Sequence, residues 1–312
     1  MEKEGLNLKG KIDWRRLAAR LEKEFPGRPA LGVPLADHTS WKVGGPAALM
    51  YCPLSAEDCA GVFALCHKEG IPLLILGSGT NLLVADEGVD ALVLNMNGLR
   101  EISWQHRQVK ASAGASLAQV AAMAGQRDLR GLEFAIGIPG SVGGAVLMNA
   151  GAYGCQMSDV VKAVEIMEHS GRRLRLSSGE LEYRYRKSRL QDESWLVLEA
   201  ELELTAGDGE EIRETMKRYL ESRRAKQPLE LPNGGSVFKN PAGQGAGRFI
   251  DRAGLKGLTI GRAQVSPKHA NFIVNLGGAR ASDIRELIGR VRATVAELYG
   301  VELEREVIYW GF

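Results

Sequence analysis

Between residues 137 and 154 the chain reads GIPGSVGGAVLMNAGAYG, with glycine at 137, 140, 143, 144, 151 and 154. Glycine loses more backbone freedom on folding than any other residue, so such density is costly. It is tolerated where bare main chain is needed. Two needs fit: tight turns between packed strands, or a flat or anionic ligand pressed against the backbone. Glycine makes up 38 of the 312 residues with no G-x-y period, which places the excess in loops.

The rest of the composition is that of a globular chain, 45% hydrophobic and 25% charged. Its length suits about two domains. Forty basic and 38 acidic residues leave a net charge of +2, which gives bulk electrostatics no hold on a polyanion. No apolar run approaches the roughly 18 residues of a membrane span. The first ten residues, MEKEGLNLKG, carry no apolar signal core. Four cysteines (52, 59, 66, 155) are too few for a disulfide scaffold and form no C-x-x-C, which fits a reducing, cytoplasmic compartment. Cys59 and Cys66 share a helical face and read as core thiols. The five histidines show no H-x-x-x-H spacing, and no metal site is expected.

Hydrophobic spacing predicts a helix over 13–25, a connector over 26–34, and a strand at 47–52. A helix follows, capped by Ser55 with Asp58 in the capping-box position and stopped by Gly70. Strands are expected at 72–76, 91–94 and 109–114, and a helix at 117–126. This β-α-β opening suggests an α/β lobe. Beyond the glycine-rich loop, strands are expected at 164–167, 173–176 and 196–204. In the last, Leu196, Leu198, Ala200, Leu202 and Leu204 oppose Glu199, Glu201 and Glu203. Ala206-Gly207-Asp208-Gly209 reads as a domain boundary, followed by a helix that Pro228 stops. Ser282 is expected to cap a strong amphipathic helix ended by Gly300, and 301–310 to form a final strand.

Two further loops carry polar groups on glycine. Leu76-Gly77-Ser78-Gly79-Thr80-Asn81-Leu82-Leu83 follows a strand and reads as a plain turn or a phosphate cradle. It is neither the dinucleotide fingerprint nor a Walker loop. Gly234-Gly235-Ser236-Val237-Phe238-Lys239-Asn240-Pro241 places a hydroxyl after two glycines, outside any G-x-S-x-G context.

Taken together, these stretches resemble the UDP-N-acetylenolpyruvoylglucosamine reductase family. The matching residues are His38-Thr39-Ser40-Trp41-Lys42-Val43-Gly44-Gly45, Gly77–Leu83, Gly137–Gly154, Tyr185-Arg186-Lys187-Ser188 and Gly235–Pro241. They continue with Ala253-Gly254-Leu255-Lys256-Gly257, Val265–Phe272 and Glu304-Arg305-Glu306-Val307. These stand in the family's order from about residue 30 to the end.

The resemblance implies an α+β chain. A two-lobed FAD-binding domain of the vanillyl-alcohol oxidase type would cover 1–208, with lobes at about 30–105 and 106–208 after an N-terminal helix. A smaller α+β substrate domain would cover 209–300, and a C-terminal strand over 301–312 would carry Glu306. It further implies non-covalent FAD, NADPH as co-substrate, and reduction of UDP-N-acetylglucosamine enolpyruvate to UDP-N-acetylmuramate in peptidoglycan precursor synthesis. FAD contacts carry over to Gly77, Ser78, Gly79, Thr80, Asn81, Gly140, Ser141, Gly144 and Asn149. Arg186, Ser236 and Glu306 take the catalytic positions: the cation, the proton donor and the third catalytic residue. Tyr185, Lys226 and Asn240 take the substrate contacts. The extra tyrosine loop of the family's longer class has no room here, so the chain resembles the shorter class.

Periodicity alone leaves Glu302, Glu304 and Glu306 equivalent on one strand face, with Leu303, Val307 and Tyr309 opposite. Glu306, if ionised, would repel the charge developing on the substrate, so it is expected protonated or paired to Arg186. Arg218, Arg223 and Arg224 read as a solvated helix end. A monomer is expected, since no long exposed heptad seam is present. Two rival readings are an FAD-dependent sugar or hydroxy-acid oxidase on the same fold, and a non-catalytic nucleotide-binding regulator.

Overall fold

Asp13 starts the first helix by accepting the Arg16 N–H at 3.0 Å, and α1 (Trp14–Glu24) follows with Leu17 and Leu21 buried. The structure, a computed structural model, describes residues 12–241 and 244–312, so the expectation for the first ten residues lies outside it. The connector expected over 26–34 is instead strand β1 (Arg28–Pro34), antiparallel to β2 (Pro46–Cys52). Most of its side chains are exposed, so no alternation marks it. Main-chain pairing at a sheet edge, not burial, makes it a strand.

Ser55 caps α2 (Ala56–Glu69), and Gly70 ends it at φ +66°. Asp58 does not close the expected capping box. Its carboxylate accepts the Tyr51 hydroxyl at 2.6 Å and the Leu54 N–H at 2.8 Å, tying the helix start to β2. Cys59 and Cys66 are buried in the core beneath this helix. Strands β3 (Leu73–Leu76), β4 (Leu82–Val84) and β5 (Val89–Asn95) follow. The first sheet has the order β1-β2-β5-β3, with β2, β5 and β3 parallel.

The second lobe is an antiparallel sheet. Its elements are β6 (Ile102–Gln105), β7 (Gln108–Ser112), α3 (Leu117–Gly125), α4 (Val142–Leu147), β8 (Val161–Met167), β9 (Arg173–Ser177), α5 (Arg189–Glu193) and β10 (Leu196–Glu203), with strand order β9-β8-β10-β7-β6. β10 buries the predicted apolar face, but Val197 and Glu201 on the other face are buried too, Glu201 neutralised by Arg175 at 2.6 Å and Lys162 at 3.1 Å. The glycine-rich stretch is not all loop. Ser141 caps α4, and a Cβ on Gly143 would lie 2.8 Å from that of Ala113, so close helix–strand packing uses one of the glycines.

Helix α6 (Gly209–Lys226) starts on Asp208 and buries Ile212 and Met216. It lies against α3: a Cβ on Gly125 would sit 2.9 Å from the Met216 sulfur. After it come α7 (Ala246–Arg252), β11 (Thr259–Ile260), β12 (Ala263–Val265), β13 (Ile273–Asn275), α8 (Ala281–Tyr299) and β14 (Ile308–Trp310). The apolar stripe of α8, Ile284, Leu287, Ile288, Val291 and Val295, fills a separate core.

Ser282 does not cap α8. The cap is long-range: Asp86 accepts the N–H groups of Ala281 at 2.7 Å and Ser282 at 3.0 Å, while Asp283 takes the Arg280 N–H. The final strand is shorter than expected: 308–310 pair with β4 in parallel, while Arg305 makes only an isolated bridge to Phe238. Trp41 completes the attachment of the C-terminal unit. It is fully buried in that unit's core and donates from Nε1 to the Ile273 carbonyl at 2.7 Å. Among the described residues no helix is long and apolar enough to cross a membrane.

Candidate functional site

One cleft of about 600 Å³ runs between the two lobes and under the C-terminal unit. Its floor is two turns in contact. A Cβ on Gly77 would sit 2.5 Å from Ser141 Oγ, and Thr80 Oγ1 donates to the Pro139 carbonyl at 3.3 Å. Gly79 has φ +63°, and a Cβ there would collide with the His38 carbonyl oxygen, so only glycine fits. Gly77, Ser78, Gly79, Thr80, Asn81, Gly140, Ser141 and Gly144 all line the cleft. Gly144 is exposed there, and a Cβ on it would meet only Ser141 Oγ, at 3.4 Å. That leaves a smooth helix face against which a flat ring can lie.

Asn149 does not line the cleft. It is fully buried at φ +45°, donates to Gln156 Oε1 at 3.1 Å and to the Arg184 carbonyl at 3.0 Å, and accepts the Ser158 N–H. Its place is behind the site, holding the turn that presents Arg186.

Arg186 sits at φ +54° in a two-residue turn closed by reciprocal Arg184–Lys187 main-chain bonds. Such a conformation is uncommon off glycine and marks a side chain held where the surroundings require it. Its Nη2 donates to the Gly151 carbonyl at 2.8 Å, and its Nη1 is 3.4 Å from the Asn149 carbonyl. Its Nε lies 3.1 Å from Glu306 Oε1, with both side chains largely buried. Three of the five N–H donors are engaged, and the remainder can meet a carboxylate.

Glu306 is singled out from its neighbours by main-chain stitching. Its N–H donates to the Val237 carbonyl at 2.9 Å, and Asn81 Nδ2 donates to its carbonyl at 3.0 Å. Glu302 and Glu304 are exposed, whereas Glu306 turns into the cleft. Burial pushes its carboxyl up, while Arg186 and, more weakly, Lys239 pull it down; the net direction is up.

The same stitching places Ser236 in the cleft. Gly235 takes φ +75°, with its N–H held by Asn233 Oδ1 at 3.0 Å. A Cβ on Gly234 would sit 2.5 Å from the Trp41 ring. Among the described residues the Ser236 hydroxyl has no hydrogen-bond partner, and it is half-buried.

Tyr185, Lys226 and Asn240 stand outside the lining. Tyr185 is 49% exposed beneath the Arg186 guanidinium, and its hydroxyl accepts the Asn240 N–H at 3.4 Å. Asn240 Oδ1 accepts the Ala246 N–H at the start of α7. Lys226 is exposed at the end of α6.

Arg223 departs from the solvated-end reading. Its side chain crosses Gly137 and lines the cleft, as does Gln227 one turn on. Of those three arginines, only Arg218 and Arg224 are exposed. Sequence reasoning missed Arg223 because a charge at a helix end is ordinarily solvated. The available signal was Gly137, which leaves room for the arginine's aliphatic stem.

Residues 47–177 match an FAD-binding domain family, and residues 227–310 match the C-terminal domain of UDP-N-acetylenolpyruvoylglucosamine reductase. The UDP-N-acetylenolpyruvoylglucosamine reductase of Caldanaerobacter subterraneus is 44% identical over 281 residues, 90% of this chain and 93% of the relative. The enzyme of Moorella thermoacetica is 43% identical over 300 residues, 96% and 99%. The crystal structure of the reductase from Thermus caldophilus superposes with a TM-score of 0.77 at 38% identity, covering 91% of this chain and 98% of that one. The backbone-lined floor, the smooth face at Gly144 and the unpaired cation at Arg223 fit FAD, the cofactor of these reductases. The chain belongs to the UDP-N-acetylenolpyruvoylglucosamine reductase family.

Proposed function

We propose that this cleft carries out the NADPH-dependent reduction of UDP-N-acetylglucosamine enolpyruvate to UDP-N-acetylmuramate through Arg186, Ser236 and Glu306. One observation carries the assignment of roles. Three segments far apart in sequence deliver a fork of N–H donors, a free hydroxyl and a buried carboxyl into the same cleft as the glycine turns.

FAD, when bound, would supply the hydride chemistry that links NADPH to C3 of the enolpyruvyl group. Gly77 to Asn81, Gly140, Ser141 and Gly144 hold the cofactor by main-chain and small polar groups. Arg186, braced by two carbonyls and Glu306, holds the substrate carboxylate and the charge that develops beside C2. Ser236 gives its proton to C2 and recovers one from solvent. Glu306 orients Arg186 and, once the substrate carboxylate arrives, is favoured in its protonated form. Asn149 supports Arg186 rather than touching the cofactor. Tyr185, Asn240 and Lys226 receive the nucleotide at the mouth of the cleft, where they are solvent-accessible and adjoin the Ser236 loop and the end of α6.

On this reading 1–208 is the cofactor domain and the rest the substrate domain, with α6 bridging them because it packs on α3. The enzyme works as a cytoplasmic monomer with no membrane or nucleic-acid partner.

The test of the roles is single-turnover reoxidation of pre-reduced Ser236→Ala enzyme in D₂O. Flavin reduction by NADPH should be unchanged, and reoxidation by the enolpyruvyl substrate slowed about 10² to 10⁴-fold, the worth of a positioned proton donor. Reoxidation at the wild-type rate, with deuterium placed only at C2, would make Ser236 a turn residue.

A further inference from the structure

The main-chain pairing beside Ser236 slips by one residue. The chain at 232–238 runs antiparallel to 271–275: the Asn275 N–H donates to the Pro232 carbonyl at 2.9 Å, and Asn233 bridges Val274. Continued in register, this pairing would have Ser236 donate to the Asn271 carbonyl. Val237 donates there instead, at 2.9 Å. Ser236 is thus the extra residue of a β-bulge, two residues standing opposite one, and among the described residues its main chain has no hydrogen-bond partner. Bulges re-aim the side chains they carry, and this one faces the cleft.

A slipped register has to be held against the regular one, which uses the same main-chain groups and points every side chain the other way. Past Val237 the partner chain turns off, the Phe272 N–H going back to the His269 carbonyl at 3.0 Å. The side chain of Asn271 takes over where that main chain leaves. Its Oδ1 accepts the Phe238 N–H at 3.0 Å, and its Nδ2 donates to the Phe238 carbonyl at 2.8 Å. An N–H only donates and a carbonyl only accepts, so Phe238 itself fixes which way the amide points. Asn271 is buried and does not line the cleft. On the opposite edge of the same segment the Glu306 N–H donates to the Val237 carbonyl at 2.9 Å, so one register sets both Ser236 and its spacing from Glu306.

We propose that Asn271 is a positioning residue of the substrate half-reaction: its amide locks the bulge at Ser236 and thereby holds the hydroxyl where C2 of the enolpyruvyl group is protonated. It acts through Ser236 and touches neither substrate nor cofactor. The glycine turns that hold the cofactor lie on other segments, so reduction by NADPH does not depend on it. The inference rests on the role of Ser236 proposed above.

The test is stopped-flow kinetics of both half-reactions in FAD-loaded Asn271→Ala, alone and combined with Ser236→Ala. Reoxidation by the enolpyruvyl sugar nucleotide should slow about 10²-fold, the usual cost of misplacing a reacting group by about an ångström. Its solvent deuterium isotope effect should rise, because proton delivery becomes the slow step, and reduction by NADPH should stay unchanged. In the Ser236→Ala background the alanine should slow reoxidation no further, since the group it positions is gone. Asn271→Gln keeps both polar groups but carries them one bond further, so it can satisfy Phe238 only by shifting the bulge. It should show the same split between the half-reactions, and it serves if the alanine variant does not fold. Equal slowing of both half-reactions, slowing with no rise in the isotope effect, full additional slowing on top of Ser236→Ala, or wild-type rates in either Asn271 variant would overturn the inference. A Ser236→Ala protein that reoxidises at the wild-type rate would sink the role of Ser236 beneath it, and the inference with it.

Discussion

Arg186 and Glu306 show how two residues can be legible by type and not by state. The chemistry of an enolpyruvyl carboxylate asks for a planar cation and a group that does not repel it, and both expected states of Glu306 have a counterpart: it is paired at 3.1 Å, and burial raises its carboxyl. Alternation could not separate Glu306 from Glu302 and Glu304, because what distinguishes it is a main-chain bond to Val237, far away in sequence. The raised direction gives a signed prediction. A carboxyl whose folded pKa lies above its ordinary 4.5 is protonated below that folded value and ionises as pH rises through it. Ionised Glu306 repels the developing charge, so reoxidation of the flavin by substrate should slow as pH rises through the raised value. Glu306→Gln, neutral at every pH, should abolish that limb. A limb that survives in Glu306→Gln would assign it to another group.

Among the elements, α1 and α8 were readable because one-sided burial sets their spacing, and β10 because its apolar face is wholly buried. Those held by pairing were not. β1 is an exposed edge, and β14 is a strand only because β4 lies beside it. Helix α4 was hidden by its glycines, needed for contact with Ala113 and for the cleft surface. The true cap of α8, Asp86, is remote in sequence and therefore invisible to local rules. The segment His38–Gly45 was legible only as a resemblance; its physical task is Trp41, which backs Gly234 and anchors Ile273. Trp41→Ala should cost about 3–5 kcal/mol of unfolding free energy, as large core truncations do. It should also slow the substrate half-reaction more than reduction by NADPH, since the Ser236 loop loses its backing while the glycine turns keep theirs. Urea unfolding with stopped-flow kinetics of both halves checks this. Equal slowing of both would mean that Trp41 supports the molecule generally and not the Ser236 loop.

At the scale of the whole molecule, the site exists only because the C-terminal unit is clamped over the two lobes. Trp41 inserts into it, Asp86 caps its main helix, and β14 pairs with β4. Each clamp is a long-range contact, which explains why the residue types of the site were readable while their convergence was not. The clamps bring Ser236 and Glu306 over a floor made by the first two lobes, and on the proposed reading this cleft serves NADPH and the sugar nucleotide in turn. The most direct test of that account is the visible spectrum of the purified, FAD-loaded protein under anaerobic conditions, first with NADPH and then with the enolpyruvyl sugar nucleotide. The flavin band should bleach with NADPH and return, mole for mole, with the sugar nucleotide. A protein that binds no flavin, or one whose flavin is bleached by an alcohol or hydroxy acid but not by NADPH, would contradict it.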